Sequence, residues 1–275
     1  MKCSVFSFQF LLLLICCFHG TAQKTGNQSF SMKHGENIVY DLHFKLTFVT
    51  THAGEATFTY NRNQSVPGAS SLLHMSFKTN KFFDGIYKMR DTISGYYNDN
   101  NVLIYSIQST NEGGFNETGK MSFNYEPDKT SIHSLWYNLK RVRVNTTLTS
   151  TDNVTDMLGV VHYIRGINRK ELKPGDIFPL IAAVGKDLVK VQFIYQHQEI
   201  VSRDNVKYNT HYFKIDIFDE AFESTKAAME VWIGDDDNFI PIKLRTKLKI
   251  GYAEVYYKSS SGLAHPLSCR VDVKK

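Results

Sequence analysis

Several residues of this chain have types and spacings that could do chemistry, and none completes a set. His197 and Glu199 project from the same face of one strand and form half of a zinc site. Zinc takes three or four ligands, and no further His or Asp lies close enough in sequence, so a solvated strand face is the simpler reading. His43 and His52 are spaced to meet across a first hairpin, again without partners. Asp235, Asp236, Asp237 and Asn238 have the acidity of a calcium loop but lack the glycine and the distal glutamate of an EF-hand. Asp and Asn are good turn formers, and a hairpin loop accounts for them. Glu36, Asp91, Glu199 and Asp216 all fall on strands. Two carboxylates converging in a groove, roughly 5–10 Å apart, would suit glycoside hydrolysis and leave no local motif. Cys269 lies in an apparent strand and reads as a small buried hydrophobe, not a nucleophile. No His-Glu-x-x-His, Cys-x-x-Cys, Gly-x-Ser-x-Gly or phosphate-binding glycine loop occurs. The sequence assigns no catalytic, cofactor-binding or metal-ligating residue and calls for no cofactor.

The sharpest surface feature is a basic stripe of Lys243, Arg245, Lys247 and Lys249. It reads first as an exposed strand face whose lysines discourage edge-to-edge aggregation. Attraction to acidic lipid headgroups or to an anionic glycan is the functional alternative. Asn-x-Ser/Thr sequons begin at Asn27, Asn63, Asn116, Asn145 and Asn153, in a chain rich enough in Asn, Ser and Thr to meet that pattern by chance. Asp91-Thr92-Ile93 has the acidic–hydroxyl–aliphatic order of an O-glycosylation site used by one phylum of gut bacteria.

The elements that would position these residues are mostly strands. Ile38, Tyr40, Leu42, Phe44, Leu46 and Phe48 alternate with Val39, Asp41, His43, Lys45 and Thr47, the pattern of a strand with one buried and one wet face. It recurs at Ile240, Ile242, Leu244, Leu248 and Ile250. Strands are expected over residues 36–49, 53–61, 71–79, 86–97, 102–110, 118–125 and 132–147. They resume at 188–201, 208–218, 227–233, 239–250, 253–258 and 268–273, with a short apolar piece at 178–184. Gly54, Pro67-Gly68, Asp84-Gly85 and residues 98–101 supply breaks or turns, and Gly251 shifts the parity as a bulge or tight bend would. One helix is expected, with Met157, Val160, Val161 and Ile164 on one face, Asp152 as N-cap, Arg165 in the last turn and Gly166 ending it. The reading is all-β and mainly antiparallel: a large curved sheet forming an open or partly closed barrel, with the helix against its concave side. A two-sheet sandwich is the alternative.

The N-terminus carries an export signal. Lys2 is the positive region, residues 10–18 the apolar run and Gly20-Thr21-Ala22 the cleavage site, which leaves Gln23 first. Residues 1–22 are then the leader, 23–34 a flexible start and 35–275 a single β domain. Leu13-Leu14-Ile15-Cys16 resembles a lipobox, but Ile15 is not small, which disfavours lipid attachment. Cys3, Cys16 and Cys17 leave with the leader, so Cys269 remains alone and no internal disulfide forms. Loss of Lys2 leaves 31 basic and 27 acidic residues, a mild net +4 that argues for no nucleic-acid partner. No stretch reaches the ~20 apolar residues of a transmembrane helix.

Several motifs in order resemble the exported bacterial family called domain of unknown function 3108. They are Gly35-Glu36-Asn37-Ile38-Val39-Tyr40, Ala53-Gly54-Glu55-Ala56, Asp91 after a Tyr-containing strand and Tyr163-Ile164-Arg165. Gly175-Asp176 follows, then Trp232 with Asp237, Ile240-Pro241-Ile242 and a strand ending at Gly251. The resemblance implies a periplasmic or envelope-associated β protein of Gram-negative bacteria and implies no activity. The expected function is non-enzymatic binding of a lipid-like or amphipathic ligand on the concave aromatic face. A filled barrel acting as a structural or protein-interaction module of the envelope is the alternative, and a glycan-acting enzyme the third reading.

Overall fold

Among the described residues, alternating side chains resolve into sixteen strands of one hydrogen-bonded sheet. The computed structural model describes residues 32–46, 49–63, 65–218, 229–248 and 251–271. The first half of the chain forms β1 (Glu36–Leu46), β2 (Val49–Arg62), β3 (Ser71–Thr79), β4 (Arg90–Tyr97), β5 (Leu103–Glu112), β6 (Phe115–Glu126), β7 (Lys129–Tyr137) and β8 (Val142–Ser150). The second half forms β9 (Val154–Thr155), β10 (Ile177–Val184), β11 (Asp187–Arg203), β12 (Val206–Phe218), β13 (Met229–Gly234), β14 (Pro241–Lys247), β15 (Tyr252–Ser261) and β16 (Arg270–Val271). Two short helices, α1 (Lys81–Asp84) and α2 (Gly159–Arg165), interrupt them.

Chain neighbours are sheet neighbours, as short connections dictate. Three pairings depart from a plain meander: β15 returns to pair antiparallel with β1, β9 pairs parallel with β10, and β16 pairs with β12. The hydrogen-bonded path therefore runs from β8 through β1 and β15 to β9, with β16 set aside against β12. Its two edges, β8 and β9, are consecutive in the chain and separated by residues 151–153 alone. So short a link holds the edges near each other and makes the sheet a nearly closed barrel of 15 strands, not a two-sheet sandwich.

Several sequence boundaries move. Residues 132–147 divide into β7 and β8, because the Asn138 Oδ1 accepts from the Lys140 and Arg141 amides and turns the chain. Gly54 is no break; it lies inside β2, where a Cβ would stand 2.2 Å from the Lys78 carbonyl oxygen of β3. The strand expected from residue 86 starts at Arg90, after α1, whose N-cap Asn80 accepts from the Phe83 amide. In α2 the side chain that receives the first amides is Asp156, through Gly159 N at 2.7 Å, and not Asp152. Gly251 has φ +79 and sits at the β14–β15 turn, as its parity shift suggested.

A barrel this wide needs more than strand side chains to fill it, and α2 supplies the rest. Met157 and Leu158 join the apolar cluster of Ile38, Phe58, Leu73, Ile132 and Trp136. Ile164 and Ile167 join that of Phe178, Phe213, Val231 and Ile233. The helix adds Val161 to the first cluster and Val160 and Tyr163 to the second, so it and its flanking residues pack on both. Trp136 lies flat over Gly119, where any Cβ would clash at 2.6 Å.

At the end of α2, Arg165 reaches the first residue of β1. Its guanidinium forms a bidentate pair with Glu36 and donates Nε to the Asn238 carbonyl at 3.1 Å. Both side chains are shut off from solvent, at 1% and 0% exposure. Removing one partner of such a pair costs about 3–5 kcal/mol, whereas replacing both by apolar groups is near neutral. Arg165→Met is accordingly expected to lower unfolding stability by about 3–5 kcal/mol in urea titration, and the double variant Glu36→Met/Arg165→Met to recover most of it. Equal stability of the single and double variants would contradict the pairing.

Candidate functional site

The polar residues singled out in the sequence fall into three places. The first is an ionic knot around the β13–β14 hairpin. Asp235 accepts from Arg169 (2.7 Å), Gln198 (2.9 Å) and His211 (3.0 Å). Asp236, buried, accepts from the amides of Asn238 and Phe239 with Oδ1 and from that of Cys269 with Oδ2. Asp237 pairs with Arg169 at 2.8 Å. Asn238 binds the backbone of His265 and Pro266, locking the C-terminal segment onto the hairpin. These carboxylates are engaged by N–H donors, and the segment joins β13 to β14 as a hairpin loop. Cys269 is buried against Gly234, and burial, with Asp236 nearby, pushes its thiol well above the ordinary value.

The second place is the sheet face opposite α2. Here two members of the basic stripe, Lys243 and Arg245, fold down onto the sheet instead of extending into water. Lys243 and Arg245 cover the Trp232 ring at 4.5 and 5.5 Å, and both pair with Glu254. Tyr212 stacks on the same indole at 5.0 Å, and the indole N–H donates to Glu199. Lys247 is exposed, and Lys249 lies outside the described residues. Further along, His43 and His52 do meet, at 5.2 Å between ring centroids, beside Asp41. Burial would raise the Asp41 carboxyl, but Lys258 and Arg203 outweigh it and hold it below the usual range. His43 is lowered by burial and by Arg203. His197 and Glu199 pair with each other at 3.2 Å, on an exposed face. Among the described residues no group of three or more His, Cys, Asp or Glu side chains is placed to hold a metal ion.

The third place is the barrel interior. Asp156 and Met157, in the segment just before α2, close over Ser106, Gln108 and Trp136 and leave a void of about 10 Å³. The Asp156 Oδ2 points into the interior without a hydrogen-bond partner. Burial pushes this carboxyl up to about 6, against the opposing hydrogen bonds of the Gly159 amide and Ser106. His162 stacks on Tyr97 at 4.8 Å, and burial and Arg165 depress it to about 4. Nearby, burial raises Asp91 against hydrogen bonding with Glu112, and Tyr87 donates to Glu112 at 3.2 Å. Asp156 and Glu112 carry no local motif and are not evident from the sequence. At one mouth of the barrel lies a cleft of about 630 Å³, bordered by Lys33, His34, Tyr60, Arg62 and Asp99.

The four carboxylates considered for hydrolysis are not brought together. Glu36 is sealed against Arg165, Asp91 hydrogen-bonds Glu112 in a buried site, and Glu199 accepts from Trp232. Asp216 is six residues along β12 from Thr210, the register partner of Glu199, or about 20 Å away. Asn63 uses its amide nitrogen inside its own turn, bonding the carbonyls of Val66 and Ala69. Asn27 and residues 1–22, expected to be a leader, lie outside the described residues. Asp91-Thr92-Ile93 sits within β4, with Asp91 buried.

Sheet order, near closure and a plugging helix define a barrel-like antiparallel β protein. The chain belongs to DUF3108, a family of proteins of unknown function, whose profile matches residues 39–258. Among solved structures it is similar in fold to a β-barrel-like protein of domain of unknown function DUF1849 from Brucella abortus. The TM-score is 0.59 at 10% identity, over 85% of this chain and 98% of that one. Two further structures align at a TM-score of 0.33. One is a candidate lipoprotein from Parabacteroides distasonis, 8% identical over 86% of this chain and 100% of that one. The other is a candidate exported protein with a YmcC-like fold from Bacteroides fragilis, 9% identical over 86% and 99%. No curated protein matches the chain. No helix among the described residues is long and apolar enough to cross a membrane.

Asp156 makes a pH prediction. Its folded value of about 6 stands above the ordinary 3.8, so the folded chain keeps a proton that the unfolded chain releases between those values. That contribution is complete below the lower value and is lost as pH rises through the upper one, roughly 3 kcal/mol in all. Asp156→Asn keeps an acceptor for the Gly159 amide and removes the ionisation. Urea unfolding across pH should show the variant gaining on the wild type by roughly 3 kcal/mol from about pH 4 to pH 7. A difference that does not vary with pH would contradict the assignment.

Proposed function

We propose that the protein is a non-catalytic module of the bacterial envelope, whose filled barrel is a rigid support for its surface and loops. The observation that carries this reading is the occupied interior. Where a container would need roughly 300–1,000 Å³ for a small ligand, the void beneath Asp156 and Met157 is about 10 Å³, and the cleft of about 630 Å³ opens at the barrel mouth beside Lys33, His34 and Arg62. A lipid entering along the concave face would have to expel α2 and break the sealed Arg165–Glu36 pair. The packing around α2 supports the interaction-module reading over that of an amphiphile held inside. The leader sequence, with its cleavage site at Ala22, supports delivery to the envelope.

Native mass spectrometry of the protein taken from its own envelope fraction, with organic extraction of the sample, tests the reading. The expected result is a bare chain beginning at Gln23. A stoichiometric lipid or other amphiphile would overturn the module reading in favour of a carrier.

A further inference from the structure

In a meander, alternate turns emerge at the same end. Strands β1, β3, β5 and β7 run toward one end of the barrel, so the turns at residues 80–89, 113–114 and 138–141 lie together there. Residues 98–102, 127–128, 204–205 and 235–240 lie at the other. The two ends differ in chemistry. The second carries Asp99, Asp128, Asp204, Asp235 and Asp237. The first carries most of the large apolar side chains that the described chain leaves in water. Phe82 is 67% exposed, Ile86 68%, Leu139 97% and Val142 57%.

Neither loop is an accident of loose chain. In the β3–β4 loop Phe83 packs on Phe44 at 5.6 Å, Tyr87 is tied to Glu112, and Asp84 is neutralised by Arg90 at 2.5 Å. Those anchors leave Phe82 and Ile86 pointing outward, flanked by exposed Lys81 and Lys88. In the β7–β8 turn Asn138 fixes the backbone that presents Leu139, and exposed Lys140 and Arg141 follow it. The two tips stand four strands apart, about 19 Å along the rim. Each is apolar at its point and basic at its base, with no unpaired acid in either loop. Apolar points for a hydrocarbon boundary and cations for phosphates are the composition of an interfacial anchor.

We propose that this end of the barrel docks on an anionic lipid bilayer, the two tips entering the headgroup layer and Lys81, Lys88, Lys140 and Arg141 meeting lipid phosphates. The proposal rests on the reading of the protein as an envelope module with a filled interior, and it names the partner of that module. Because the tips are preformed, docking requires no ordering of the loops.

Flotation of the full chain, purified as its host processes it, tests this with two kinds of vesicle: mixed phosphatidylethanolamine and phosphatidylglycerol, and phosphatidylcholine alone. Binding is expected to the anionic vesicles and to fall with added salt. Phe82→Ser/Ile86→Ser should lower it about tenfold, as should Lys81→Gln/Lys88→Gln. Ile200→Ser, which removes an apolar side chain 60% exposed on β11 outside both tips, should leave it unchanged. All the substituted positions are on the surface, and unchanged unfolding curves would confirm that the variants fold. No wild-type binding, equal binding by the tip variants, or an equal loss in Ile200→Ser overturns the proposal. A tip-dependent dimer in solution without vesicle binding also overturns it, and makes a second copy the occupant. With a bare native mass, failure of flotation leaves the module reading standing; a bound amphiphile removes that reading whatever flotation shows.

Discussion

The buried pair between Arg165 and Glu36 is the constraint on which the rest of this barrel depends. A nearly closed sheet of this width has an interior that strand side chains alone do not fill. The chain answers with α2, but a seven-residue helix has little stability of its own and must be held by tertiary contacts. Apolar packing on both sides supplies the attraction, and the guanidinium supplies direction. It can be buried only where a carboxylate and a carbonyl meet it, and Glu36 and Asn238 occupy those places. One interaction thereby sets the start of β1, the end of α2 and the β13–β14 hairpin relative to one another.

The same logic operates on the opposite face of the sheet. Trp232 and Tyr212 lie on a side of the strands that normally faces water, yet both are nearly covered. The stems and cations of Lys243 and Arg245 do the covering, and Glu230 and Glu254 compensate their charge. What looked in one dimension like a free basic stripe is internally neutralised. Lys81, Lys88, Lys140 and Arg141, by contrast, stand exposed on the loop tips at one end of the barrel.

Strand alternation made most of the fold legible, because one wet and one buried face leave a period of two wherever the sheet continues. It misled where parity ran through a turn. Trp136, Val142 and Val144 read as one strand although Asn138 reverses the chain between them. The helix was visible from its apolar spacing, but its start was displaced: it begins after Leu158, which caps it without a side-chain bond, and Asp156, not Asp152, receives the Gly159 amide. Family resemblance pointed at Glu36, Arg165 and the hairpin before Ile240. It could not show that they touch, across 129 and 73 residues of sequence. Asp156 and Glu112 were illegible altogether, because nothing local marks a carboxylate that only the closed barrel buries. The loop tips could have been found by reading alternate turns separately, one set basic and apolar, the other acidic.

Hydrogen–deuterium exchange on Arg165→Met under native conditions tests the central claim most directly. If the pair locks the plug to both halves of the sheet, amides of α2, of the start of β1 and of residues 235–240 lose protection together, while those of β5–β7 keep theirs. Loss of protection confined to α2 would contradict the account, since the helix would then be a passive filler in a barrel that closes without it.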